Sequence, residues 1–401
     1  MTSFEVHVDS PQVADGSVAV SAQLRSPARR DDELRYEVRG VAQDAVVTRG
    51  DPFVVASLVF AMAEGCDLRV RGAPVSASLL RNLDEFQQIW HAWFGHTVVE
   101  VVAEEERDDV PPVSSVVAFS GGVDSAFSAY SHTTGLVRRG RDLRAGLMIH
   151  GMDIPYADTV GFEGALARSR RMLASLDLDL ITVKTNAWEL LPPTYSHFPG
   201  VGVAAALHVV GGAFGAGLLP SAAAYAALAL PLDSNPMSDW LLGGSSFAIV
   251  HDGAAYNRLE KIRRLEPWGE AIANLRFCLS DPAHDRNCGR CRKCLLTRLA
   301  FHVLGIEPRC FDTKPSVESV AAFAGSFSSR PIFVAEMQAI MDEAGRRGMR
   351  EPWMRAARRR FRVIAARRAL TEVAPSFSDR AARALWRLRG RSVRETPVSP
   401  P

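Results

Sequence analysis

Lysine is almost missing from this chain: 4 Lys stand against 43 Arg in 401 residues, a bias for which a genome-wide preference for Arg codons offers one account. Also missing are an apolar leader, internal repeats and low-complexity tracts. Met1 to Asp9 holds Glu5 and Asp9 without an apolar run, so no secretory signal is read and a cytoplasmic location is expected. With 47% hydrophobic and 23% charged residues, the composition excludes disordered and fibrous classes. Charge itself is missing from one long stretch. Val201 to Leu232 carries none apart from His208 and is long enough to cross a bilayer. Gly211-Gly212 and Pro220 break that stretch into pieces of soluble helix and strand length, so no membrane span is expected.

Cysteine is scarce and unevenly placed. Four of the 6 crowd between Cys278 and Cys294, which suits metal ligation in a reducing compartment and excludes a disulfide framework. Cys66 and Cys310 stand alone and are expected to be buried small hydrophobes.

What is present divides into three regions. Residues 1–112 read as an α+β module. Short β-like runs (Phe4–Val8, Ser17–Leu24, Leu34–Val38, Ala45–Thr48) precede helix-like Val54–Glu64 and Ser78–Phe94, and acidic Glu104-Glu105-Glu106 with Pro111-Pro112 reads as a linker. Residues 113–315 alternate strand and helix. Val116–Phe119, Ala145–Ile149 and Leu180–Val183 are short apolar runs separated by helical patterns from Ala126 and over Phe162–Leu176, a rhythm that predicts an α/β fold with a parallel sheet covered by helices. Residues 316–401 are helical and Arg-rich. The net charge of +2 hides the asymmetry: 17 Arg and 7 acidic residues from Arg330 onward give +10, leaving −8 for the rest. In the tail, Trp353–Val373 and Phe377–Arg389 have helical spacing, with an apolar stripe expected to pack on the body and arginines outward.

Two motifs carry chemistry. The run Val116 to Phe119 leads into Ser120-Gly121-Gly122-Val123-Asp124-Ser125, which is strand, tight glycine turn and helix start. The glycines let backbone N–H groups approach a phosphate, the helix N-terminus adds partial positive charge, and Ser120 and Ser125 offer hydroxyls. With no lysine in the turn this is not a Walker loop, so transfer of a γ-phosphate loses support. His150 and Asp153 close the next strand and are candidate nucleotide contacts. Arg258 and Lys261, three apart on one helix face, are candidates to grip a carboxylate or neutralise charge on a nucleotide. The second motif is Cys278 with Cys288-Gly-Arg-Cys291-Arg-Lys-Cys294, four thiolates that close a tetrahedral zinc shell; an iron–sulfur cluster is the competing reading.

The glycine turn resembles the signature of the N-type ATP pyrophosphatases, the PP-loop family of GMP synthetase, argininosuccinate synthetase and 7-cyano-7-deazaguanine synthase. Paired with the cysteine cluster over Val113 to Gly305, the resemblance is greatest to the 7-cyano-7-deazaguanine synthase branch. It implies the parallel-sheet fold of adenine nucleotide alpha hydrolases, with residues 120–125 holding ATP phosphates and Asp124 holding magnesium or pyrophosphate. The implied activity is adenylation of a carboxylate or carbonyl oxygen, with release of pyrophosphate and displacement of AMP by ammonia or an amine. The chain departs from that branch in its N-terminal module, its basic tail and its substrate segment, of which Asp233-Ser234-Asn235-Pro236-Met237-Ser238-Asp239 is a loose echo. Alternatives are a sulfur-transferring relative, which needs an exposed cysteine outside the cluster, and a zinc-ribbon nucleic-acid-binding protein using the Arg-rich tail. A carrier protein or other macromolecule as substrate and a homodimer stay open as partners.

Overall fold

The computed structural model describes residues 3–191, 198–312 and 314–369; Phe377–Arg389 lies outside them. The strands are β1 (Ser3–Val8), β2 (Gln12–Ala14), β3 (Ser17–Ser26), β4 (Arg29–Arg39), β5 (Asp67–Arg71), β6 (Val75–Ser76), β7 (Val101–Val102), β8 (Glu105–Glu106), β9 (Ser115–Ala118), β10 (Leu143–His150), β11 (Asp179–Thr185), β12 (Ala216–Pro220) and β13 (Ala248–Asp252). The helices are α1 (Asp51–Glu64), α2 (Ala77–Phe94), α3 (Val123–Thr133), α4 (Thr159–Ala174), α5 (Pro199–His208), α6 (Arg258–Leu265), α7 (Gly269–Asn274), α8 (Arg292–Leu304), α9 (Val317–Ser326) and α10 (Pro331–Arg346), followed by α11 over 352–369.

Eleven strands form one mixed sheet, in the order β13-β12-β9-β10-β11-β4-β3-β1-β5-β7 with β2 on β3. The five strands from β13 to β11 pair in parallel, as their short apolar runs predict for strands covered on both faces. The N-terminal strands extend this sheet: β4 pairs antiparallel with β11, placing Val38 opposite Val183. One apolar core correspondingly runs from Phe4 and Leu34 through Val116 to Val201 and Ile249, across the boundary at residue 112.

Two details depart from the sequence reading. Ala45–Thr48 is not a strand: Gln43–Ala45 is a 3-10 turn, and Val47 and Ala45 instead bond to Val209 and Gly212. The acidic stretch before Pro111 is not a bare linker either. Arg49 grips Glu106 and Asp109, at 2.5 and 2.8 Å, and β8 pairs with β6. The uncharged stretch from Val201 divides, as expected, into the end of α5, β12 and irregular chain. Among the described residues no helix is long and apolar enough to cross a membrane.

The C-terminal helices form a second core with α6 and α8, where Trp353, Met354, Ala357 and Ile364 of α11 pack among Phe323, Met337 and Ile340. Arg355, Arg358, Arg359, Arg362 and Arg367 of the same helix are exposed, as the amphipathic spacing predicts. Ending the chain after Gly348 is therefore expected to uncover that apolar face. Size-exclusion chromatography should show self-association of the truncated protein, and a monodisperse profile identical to the full chain would contradict the packing.

The connectivity fixes where a ligand can sit. From β9 the chain moves through β10 to β11 on one side, then returns to β12 on the other side of β9. That reversal makes the carboxyl end of β9 a topological switch point, the place where open α/β sheets leave a crevice.

Candidate active site and metal centre

The glycine turn stands at that switch point. Gly121 has φ +74°, a left-handed conformation that side chains rarely adopt, and a Cβ there would stand 3.2 Å from Oγ of Ser169. Gly122 caps α3, whose first turn has no side-chain cap. Ser120 borders the cleft, whereas Ser125 is buried beneath it and donates its hydroxyl to the Gly122 carbonyl at 3.1 Å. Val123 and Asp124 open the helix and line the cleft.

Asp124 is tied to both residues singled out on α6. Its Oδ1 accepts from Nζ of Lys261 at 2.8 Å and its Oδ2 from Nη2 of Arg258 at 3.2 Å. Asn257 and Glu260 start α6 with a reciprocal capping box, so Glu260 satisfies the helix end while both cations turn inward. Lys261 is only 1% exposed and also donates to the Ser221 carbonyl at 2.6 Å, at the end of β12. A second carboxylate, Glu336 of α10, accepts from Nε of Arg258 at 3.1 Å. Burial alone would raise the Asp124 carboxyl, but Lys261 and Arg258 outweigh it and hold the group down at about 2.

Two further cations border the cleft, both supplied by the cysteine-rich loop. Arg276 is 3% exposed, lies 3.8 Å from Asp153, and donates to the carbonyls of Ser120 and His284. Its Nε is buried with no hydrogen-bond partner, and burial lowers the guanidinium pKa. Lys293 borders the same cleft from the first turn of α8. The loop is stitched to the turn by its backbone, since Arg276 N–H donates to the Gly121 carbonyl at 2.8 Å.

His150 and Asp153 part company. Asp153 lines the cleft, half-exposed. The His150 imidazole is buried elsewhere, stacked on Phe162 with ring centres 4.3 Å apart and bonded to the Pro155 carbonyl; burial and Lys184 lower its pKa. The 233–239 segment forms a self-bonded turn in which buried Asp239 accepts from the Asn235 N–H and pairs with His251 at 2.8 Å. Sequence reasoning missed Arg276 and Glu336 altogether and met Lys293 only as part of the cysteine motif.

The four cysteines converge. Their sulfurs all lie within 4.8 Å of one another, with Cys278 to Cys291 at 3.7 Å and Cys288 to Cys294 at 3.8 Å. Four thiolates about 2.3 Å from a tetrahedral zinc stand about 3.8 Å apart, so the cluster can hold a metal ion such as zinc. Hydrogen bonds, the one from Cys294 foremost, bring the Cys291 thiol down to about 4, and the same bond with burial pushes Cys294 up. Cys291 also caps α8, whose N-terminal dipole favours a thiolate. A larger cavity of about 410 Å³ opens beside α8 and α9, yet its His302 and Glu351 are spent on each other at 2.8 Å, and its glycine, Gly305, ends α8 rather than opening a helix. No family model, no curated protein and no solved structure matches the chain.

Proposed function

We propose that the chain is an adenylating enzyme of the ATP pyrophosphatase kind, in which a carboxylate or carbonyl oxygen attacks the α-phosphate of ATP, pyrophosphate leaves, and a nitrogen nucleophile then displaces AMP. The observation that carries this reading is the gathering of Arg258, Lys261, Arg276 and Lys293 around a lysine-free glycine turn at the sheet's switch point. ATP, when bound, supplies the adenylyl group and the leaving pyrophosphate.

The protein's own part is placement and charge. The turn offers backbone donors, the Arg276 guanidinium adds charge at the edge of the cleft, and Lys293 adds a charge with no fixed partner to break. The cleft, of about 50 Å³, has room for a phosphate group rather than a whole nucleotide, so the nucleoside would lie along the carboxyl edge of the sheet, past Asp153. Magnesium is a poor fit at Asp124, because both of its oxygens already face fixed cations at 2.8 and 3.2 Å, and no step is routed through that ion.

A nitrogen nucleophile is favoured over sulfur transfer. Outside the cluster only Cys66 and Cys310 remain; both are buried, and burial pushes the Cys310 thiol up to about 12. We take the cluster to hold one structural zinc, since four protein ligands leave no open position and sulfurs this close leave no room for several irons between them.

Lys293→Met is the sharpest test. Lys293 makes no hydrogen bond among the described residues, so its loss should leave stability within about 0.5 kcal/mol of wild type. Release of AMP and pyrophosphate should nonetheless fall by on the order of 100-fold, the usual consequence of removing one charge-stabilising donor. Wild-type protein that produces ADP and phosphate, or nothing, across a panel of acids with ammonium would refute the adenylation reading.

A further inference from the structure

One carboxylate in the ion cluster has no part in the proposed chemistry. Glu336 comes from α10, in the C-terminal helical layer, and is buried at 7% exposure. Among the described residues its one cation within bonding distance is Arg258, through Nε at 3.1 Å, and the same guanidinium reaches Asp124 through Nη2 at 3.2 Å. Arg258 itself lines the cleft that contains the glycine turn. A bidentate or stacked guanidinium is a planar fork, so holding Nε from behind fixes the plane in which the remaining N–H groups lie. Burial raises the Glu336 carboxyl and Arg258 opposes that rise, which makes the pair mutually dependent.

The charge matters as much as the geometry. Asp124 neutralises Lys261, shares Arg258 and feels Lys293 from farther off, while Arg276 faces the half-exposed Asp153 at 3.8 Å, so among the described residues the four cations of the cleft outnumber the buried carboxylates beside them. Without Glu336 the buried set would present one more positive charge to a highly charged leaving anion. Such a site would hold pyrophosphate well and release it slowly. Tight product binding is a common limit on turnover.

We propose that Glu336 is a positioning residue that acts through Arg258 as a buried counter-charge, fixing the guanidinium plane and capping the affinity of the cleft for pyrophosphate so that this product leaves. The inference rests on the adenylating reading above. It also gives the C-terminal region a role in the site, because α10 delivers the carboxylate.

The test is calorimetric titration of inorganic pyrophosphate into the full-length, metal-loaded protein. Glu336→Gln keeps an oxygen to accept from Nε of Arg258 and removes only the charge, so it should bind pyrophosphate on the order of tenfold more tightly than wild type. Glu336→Asp, which keeps the charge, should stay within about threefold of wild type, and Glu336→Ala should also bind more tightly. In turnover, Glu336→Gln should lower kcat with little change in kcat/KM, the pattern of slowed release rather than impaired chemistry. Unchanged or weaker pyrophosphate binding by the Gln and Ala variants would overturn the proposal, as would loss of fold in both, since Glu336 would then be a structural residue. Failure of the wild-type protein to bind pyrophosphate at all would instead sink the adenylating reading.

Discussion

Asp124→Asn should unfold at markedly lower denaturant concentration than wild type, with a loss of between about 2 and 5 kcal/mol at neutral pH. The lower bound follows from the depression of the Asp124 carboxyl from 3.8 to about 2, at roughly 1.4 kcal/mol for each pH unit. The upper bound is what removing one member of a buried ion pair ordinarily costs, about 5 kcal/mol, because the stranded charge loses its compensation. Lys261 is the stranded charge here. It is 1% exposed, and without the Asp124 carboxylate its ammonium keeps the Ser221 carbonyl and the face of Phe127 at 5.9 Å, with Asp252 and Glu336 acting on it only from farther off. An aspartate in an exposed glycine turn is usually expected to affect ligand binding alone, so a large stability effect distinguishes this arrangement from a solvent-facing loop aspartate.

The sign of the pH dependence follows from the same pair. The folded-state pKa of Asp124 is depressed, so its contribution is fully present above the unfolded value and is lost as pH falls towards about 2. The gap between wild type and Asp124→Asn should accordingly be widest near neutrality and narrow below about pH 4. Urea titrations at pH 7 and pH 3 measure both quantities. Equal stability at pH 7 would mean that Lys261 finds other partners and that the ion cluster is not part of the fold's support.

How much of this was readable in advance depends on whether the signal is local. The glycine turn was legible because a four-residue apolar strand, two glycines and a helix start are adjacent in the chain, and the structure sets Gly121 and Gly122 between β9 and α3 as that order requires. The cysteine cluster was legible because its short spacings nearly dictate convergence. The extension of the sheet was not, since the pairing of β4 with β11 joins residues almost 150 positions apart and leaves no periodic mark on either strand. Arg276 and Glu336 were hidden for a related reason: in a chain with 43 Arg, one more arginine or a lone helical glutamate carries no distinction. Lysine was a signal only half used, since its scarcity and Lys261 were noted but Lys293 was not singled out. Only 4 occur, and Lys261 and Lys293 both belong to the cation group around the cleft, where a compact charge on a flexible stem serves differently from a guanidinium. His150 misled for the opposite reason. A strand-end histidine beside a glycine looks like a ligand contact, but stacking on Phe162 and a bond to the Pro155 carbonyl satisfy it inside the protein.

Metal removal is expected to have the widest effect, because the cysteine loop supports both the fold and the cleft. Cys278 and Cys294 are buried in the second core, and α8 begins at Cys291 and packs through Leu296, Leu299 and Phe301 into it. Losing one thiolate by Cys291→Ser should therefore cost several kcal/mol, on the order of 3 or more, given that binding energy at a closed site is folding energy. Thermal unfolding of the purified variant should begin well below wild type, and metal analysis should find about one zinc per chain only in the latter. The second consequence is at the cleft. Arg276 lies two residues before Cys278 and is bonded to the glycine turn through Gly121, while Lys293 lies between Cys291 and Cys294, so neither cation can keep its place if the sulfurs separate. Pyrophosphate affinity should fall by on the order of 100-fold on chelation, even at temperatures where circular dichroism shows the sheet intact, because two of the four cations are displaced. Protein stripped of metal that still binds pyrophosphate like the loaded form would show that the cluster stabilises the chain without holding the cleft together.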